Sequence, residues 1–183
     1  MLTGVTSTTK QNIQLGAGVL LTQYSDGGVV SPDAIIGATR GGGSFTATPT
    51  FRQIEADGIP TNLKSFGVID DYVVTLNTTL IEFKKETLEL ALPGAKVNTS
   101  LNVTTITADH AIADSEYKDI WWVGDTADGK KIAIKIKNAL NQGGLNFTIS
   151  NKGEGTFTLA LIGHYDLTDL DTAPFEIKLD KTE

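Results

Sequence analysis

From Ser44 to Arg52 the residues alternate: Phe45, Ala47, Pro49 and Phe51 fall on one face, and Ser44, Thr46, Thr48, Thr50 and Arg52 on the other. This is the period of a half-buried strand, not of a helix. The alternation then slips, because Ile54 and Ala56 take the parity that was polar. The slip predicts either a bulge near Gln53 or a passage from one buried environment to another. At about 3.3 Å per residue, Gly43 to Asp57 would span roughly 50 Å if straight, more than a compact chain of this size has across. The strand must bend, or project towards a partner.

Before it, Gly41-Gly42-Gly43 weakens any strand and predicts a bulge, a sharp bend or a close backbone approach. After it, Asp57 to Gly67 reads as a polar loop, a connection or an arm, leading to a second extended run from Val68 to Phe83. Ile13 to Thr22 predicts a first strand softened by Gly16 and Gly18, followed by turns at Tyr24-Ser-Asp-Gly-Gly and Ser31-Pro-Asp. Met1 to Asn12 has little to bury and is expected to be a mobile arm or one ordered by a neighbour. Thr79 with Glu82 predicts a capping box for the one substantial helix, starting between Leu80 and Lys84, with Ile81, Leu88, Ala91 and Leu92 near one face and Pro93-Gly94 as its stop. The remainder reads as strands: Asn98 to Thr107, then Asp119 to Val123 joined to Lys131–Lys137 by an Asp-Gly turn. Leu145, Phe147 and Ile149 are expected to face Phe157, Leu159 and Leu161 across a tight turn, and Pro174 to Leu179 closes the chain with Phe175, Ile177 and Leu179 inward.

Composition bounds the function. At 183 residues and 40% hydrophobic content, with no low-complexity linker, residues 1–183 read as one domain. No cysteine is present, which removes disulfides, thiolate metal sites and thiol nucleophiles and suits a reducing compartment or a particle assembled inside a cell. No stretch approaches the roughly 20 apolar residues of a membrane span, and the polar N-terminus is unlike a secretory signal. A net charge of −7 argues against a basic nucleic-acid-binding face, yet is compatible with a surface past which nucleic acid slides.

The sequence carries no recognisable catalytic or ligand-binding constellation. The two histidines, His110 and His164, lie in no triad-like motif and read as turn and strand-end residues. The glycine triplet lacks the Gly-Lys-Ser/Thr of a phosphate loop. Asp166, Asp169 and Asp171, like Asp125 with Asp128, crowd oxygen ligands without the spacing of a calcium loop, and read as solvated acids. The expectation is a non-enzyme without metal or cofactor. Trp121 and Trp122, being adjacent, must point to opposite faces of a strand, so either the strand has core on both sides or a subunit partner covers one ring.

The order of these pieces resembles the major tail proteins, or tail tube proteins, of tailed bacteriophages and prophages. The residues carrying the resemblance are Ile36 to Gly43, Arg52 to Gly58, Leu88 to Ala95, Asn138 to Leu145 and Ile162 to Ile177. The resemblance implies a mainly β fold, a β-sandwich or partly rolled barrel of antiparallel strands with one flanking α-helix. It implies hexameric rings stacked into a tube in the virion tail, assembled in the bacterial host cytoplasm, through which DNA passes without specific binding. Inner strands of neighbouring subunits join into one barrel, loops or arms grip the next ring, and tape measure, tail tip or baseplate and tail terminator proteins are further partners; no membrane is involved. On this reading the candidate assembly residues are Thr61, Asn62, Leu63, Lys64 and Ser65 in the loop, with Trp121 and Trp122. Two alternatives stand beside it: the tube of a contractile injection or secretion device, and a free-standing β-sandwich carbohydrate-binding module using an exposed tryptophan.

Overall fold

The computed structural model describes residues 3–27 and 30–180. In chain order they form β1 (Gln14–Leu21), β2 (Thr39–Gln53), β3 (Gly67–Leu80), α1 (Lys85–Ala91), β4 (Ala95–Ser100), β5 (Val103–Ala108), β6 (Lys118–Thr126), β7 (Lys131–Asn141), β8 (Asn146–Thr148), β9 (Thr156–Ile162) and β10 (Phe175–Leu179). Every pairing between these strands is antiparallel. The protein is mainly β, with a large antiparallel sheet system and one helix, in a sandwich-like arrangement.

Strand β7 belongs to two sheets and makes the corner between them. Its first half pairs with β6 on one side and β10 on the other, and its end, Leu140 and Asn141, pairs with Ile162 and Leu161 of β9. Between the two, Asn138 takes a left-handed φ of 48° and its side chain donates to the His164 carbonyl. A first sheet thus runs β1-β6-β7-β10, and a second runs β2-β3-β9-β8. At one end the sheets are rolled towards each other: Leu21 bridges Ile35, Ile36 N–H donates to Leu20, and Ile81 N–H donates to Ala38.

The alternation read in the sequence explains what lies between the sheets. Val74, Leu76 and Leu80 of β3 meet Ile120, Ile136 and Phe157 in one buried cluster, with Phe45 and Ala47 of β2 packed against it. Phe175 joins from β10, its ring 5.8 Å from Phe45 and 5.7 Å from Tyr72. A smaller cluster lies on the other face of the first sheet, where Trp121, Val123 and Ala133 are roofed by Tyr24, Val30 and Ala34 from the loop after β1. Core on both sides of β6 is therefore the arrangement the two tryptophans serve.

Several expectations are corrected. The helix begins at Lys85, because β3 keeps Thr79 paired with Thr158, while Glu82 accepts Ala38 N–H at 3.0 Å instead of capping. The bond from Lys84 and then that N–H hold the Glu82 carboxyl below the usual carboxylate range. Lys84 N–H is taken by Thr87 Oγ1 at 2.9 Å, and the helix buries Thr87 and Ala91, while Leu88 is only half-buried. Asn98 to Thr107 is no single strand but parts of the β4–β5 hairpin, turning at Leu101 with a φ of 53°. In β10 only Phe175 turns inward; Ile177 and Leu179 are exposed. β8 is short, and of the expected facing pairs Phe147–Phe157 forms, whereas Leu159 and Leu161 pair with β3 and Ile149 is 89% exposed. Thr3 to Asn12 is almost wholly exposed and ends in a 3₁₀ turn, while Met1 and Leu2 of the expected arm, and Gly28 of the expected turn, lie outside the described residues.

Asn141 ties these layers together. It is fully buried, its amide donates to the Ala91 carbonyl at the helix end and to Gly144, and its oxygen accepts Ala160 N–H at 2.8 Å. Replacing Asn141 with Leu strands these partners without hydrogen bonds and is expected to destabilise the fold by about 2–4 kcal/mol. Chemical denaturation measures this; an unchanged midpoint would contradict the assigned role.

Candidate assembly site

The two arms of the β2–β3 ladder run together for the full length of β2, fifteen residues, but the rest of the protein accompanies them only part of the way. β9 pairs with β3 from Leu80 to Thr75; Val74 C=O then takes Gly163 N–H and Tyr72 N–H donates to the Tyr165 hydroxyl at 2.7 Å. Beyond that point the ladder carries itself. The register shifts between Thr50 and Phe51, with Asp70 as the extra residue of β3, so the bulge lies on the strand opposite the expected one and earlier than Gln53. Asp70 is held by a forked bond from Arg52, whose Nη2 lies 3.0 Å from Oδ1. At the other end of β2, two residues of the Arg40–Gly42 stretch are extra to the ladder, and Gly41 and Gly42 both take φ of 77°, the predicted glycine bulge.

Past the Asp70 bulge most apolar residues stand in solvent, with only Phe66 and Val68 half-buried. Phe51 is 66% exposed, and Ile54, Ile59, Leu63 and Ile69 are exposed with it. The loop between the strands is held only locally, by Ile54 N–H to Phe66 and Phe66 N–H to Leu63, with Asn62 and Ser65 in left-handed conformations. The candidate residues Thr61, Asn62, Leu63, Lys64 and Ser65 all lie here and are all exposed. A cleft of about 440 Å³ separates Gln53–Asp57 from Ile59–Thr61. Gln53 Oε1 is the one buried side-chain polar atom among the described residues without a hydrogen-bond partner. Phe51, Ile54, Ile59 and Ile69 complete the tip and were not singled out from the sequence; the parity slip at Ile54 was the signal, since an apolar residue out of phase is one the core does not claim.

Trp121 and Trp122 are not part of this site. Trp121 is 7% exposed, tilted against Tyr24 at 5.6 Å, with Lys135 and Lys178 at 5.4 and 5.3 Å from its ring. Trp122 packs half-buried on the main core, its ring seated over Gly18, where any side chain would collide with it, and its indole N–H donating to Ala17 at 3.0 Å. The chain itself, through Tyr24 and the two lysines, covers Trp121.

The other chemistry-bearing residues are likewise occupied locally. His164 Nδ1 donates to the Asn138 carbonyl at 3.0 Å, which leaves Nε2 to accept from Gln142, and His110 is exposed in the turn after β5. Asp166 accepts from Thr168 N–H and Asp169 from Thr172 N–H, so both acids order their own loop. No group of three His, Cys, Asp or Glu with metal-site geometry occurs among the described residues.

The second sheet also ends in two open edges. Because Tyr72 N–H and Val74 C=O point to the β9 side, Pro49–Tyr72 and Ala47–Val74 are non-hydrogen-bonded pairs, and the peptide groups of Ala47 and Pro49 face away from the ladder. Pro49 therefore withholds its missing donor from the open edge, where proline is tolerated. At the opposite side β8 pairs with β9 alone, leaving its outer edge free. No known protein family and no curated protein matches the chain.

The exposed tip side chains make no contact with the main core cluster. Ile54→Asn with Ile69→Asn is expected to leave the melting temperature within about 2 °C of wild type, as surface changes do. A large fall in melting temperature would show that the tip packs on the body.

Proposed function

We propose that this protein is a non-enzymatic structural subunit of a phage or prophage tail tube, forming hexameric rings that stack into a channel for DNA. The observation that carries the reading is the β2–β3 ladder: a strand pair that leaves its own core, ends in five exposed large apolar side chains and presents an open edge along β2. An exposed cluster of this kind with an unpaired edge is a liability in a monomer and a contact surface in an assembly. The partnerless Gln53 oxygen beside it is a buried acceptor, of the kind that a donor from another chain satisfies.

The strand count agrees with edge-to-edge joining. The second sheet holds four antiparallel strands, so β8 of one copy runs antiparallel to β2 of the next when copies are related by rotation about a common axis. Face chemistry is continuous across such a junction. Phe147 and Ile149 extend the side that carries Phe45 and Ala47, and Asn146 and Thr148 extend the side that carries Ser44, Thr46 and Thr48. The covered Trp121 removes the open ring face that a sugar platform needs, which weighs against the carbohydrate-binding alternative.

Ala47→Pro tests the reading, because it deletes an edge donor without touching the bonds to β3. The variant is expected to remain a folded monomer by circular dichroism and light scattering under conditions where the wild type forms rings or tubes in negative stain. Tubes of unaltered diameter from Ala47→Pro would overturn the use of this edge.

A further inference from the structure

Resting on the tube reading, we infer that the outer face of the second sheet is the channel lining, and that between its rims this lining is uncharged, a surface of hydroxyl, amide and aliphatic groups past which duplex DNA moves. The first sheet is roofed on its outer side by the loop after β1, whereas the second is uncovered there. Its open face is built from the alternate residues of four strands, aligned by register: Thr46 and Thr48 of β2, Thr75 and Asn77 of β3, Thr158 of β9 and Thr148 of β8, with Val73, Ala160 and Ile162 as its apolar members. Within 43–50, 73–79, 146–148 and 156–162 there is no Asp, Glu, Lys or Arg, in a chain where 20% of residues are charged.

Charge returns only at the two rims. Arg52 and Asp70, with Asp71 and the loop residues Glu55, Asp57 and Lys64, stand at the tip end, and Arg40, Glu154 and Lys152 at the other. Arg52 and Arg40 are the chain's only two arginines, and each is paired with a carboxylate, at 3.0 and 2.6 Å. Between the rims the strands thus offer no cation to a phosphate backbone. Without cations along the strands there is no counterion release to hold DNA, and the carboxylate of Asp71, which pairs with Thr50 on this same face, is confined to the tip rim.

Geometry selects the side. The core face of the second sheet carries the first sheet and its roof, a thicker layer that needs the greater circumference when copies close into a ring. The uncovered face is left inside.

The absence of cysteine allows single-site reporters. Thr48→Cys, Thr158→Cys and, on the roof of the first sheet, Ser25→Cys are each assembled and treated with biotin-maleimide, which is small enough to enter the channel, then with streptavidin, which is not. The expected result is that Ser25→Cys tubes are decorated, while Thr48→Cys and Thr158→Cys tubes take up biotin yet capture streptavidin only after dissociation. In a second arm, Thr158→Lys tubes are expected to retain short duplex DNA at low salt and release it as salt rises, whereas wild-type tubes retain none. Intact tubes decorated at Thr48→Cys or Thr158→Cys, or wild-type tubes that hold duplex DNA in a salt-dependent way, would overturn the lining and leave the tube reading standing. A protein that forms neither ring nor tube would overturn the tube reading itself, and the lining with it.

Discussion

The β2–β3 ladder has two environments along one continuous set of hydrogen bonds. From Leu80 to Tyr72, β3 is braced by β9, Gly163 and Tyr165, and its inward residues are the centre of the core. Beyond Asp71 the same ladder has only itself, and Phe51, Ile54 and Ile69 meet solvent. A two-stranded ribbon is marginally stable in water, so the distal half relies on the proximal half for its order. The Asp70 bulge and the Arg52 fork sit at the boundary and set the direction in which the ribbon leaves.

The two sheets answer the problem of exposed faces differently. The first is covered on both sides, by the core and by the loop bearing Tyr24, so β6 can hold Trp121 and Trp122 back to back. Apolar residues on consecutive positions there make sense only with two-sided burial. The second is covered on one side, and its other side is mostly threonine, serine and asparagine, with Val73, Ala160 and Ile162 among them. What the second sheet leaves open is its edges, and Pro49 limits the one on β2 by removing a donor. The β4–β5 hairpin is a further free element, with Leu101 98% exposed at its turn.

Much of this was legible in the sequence because it obeys a local period. The parity of Phe45, Ala47 and Pro49, the Asp-Gly hairpin of β6 and β7, the glycine bulge and the stop at Pro93-Gly94 all follow from steric rules within a few residues. What was missed depends on partners far along the chain. Thr79 and Glu82 have the spacing of a capping box, but strand β9 claims Thr79 and Ala38 claims Glu82. The β4–β5 turn was invisible because Leu101 takes the left-handed conformation without a glycine or proline to mark it. The cover of Trp121 comes from Tyr24 and two lysines in other elements, which no window around residue 121 contains. Of the candidate site, the loop at Thr61–Ser65 was read directly, whereas Phe51 and Ile69 required knowing where β9 ends.

The most direct measurement is electron microscopy of the purified protein in negative stain at low and high concentration, with light scattering for the mass in solution. Assembly through the open edges and the tip requires six-membered rings or hollow tubes whose proportion rises with concentration. A single monomeric species at every concentration would contradict it.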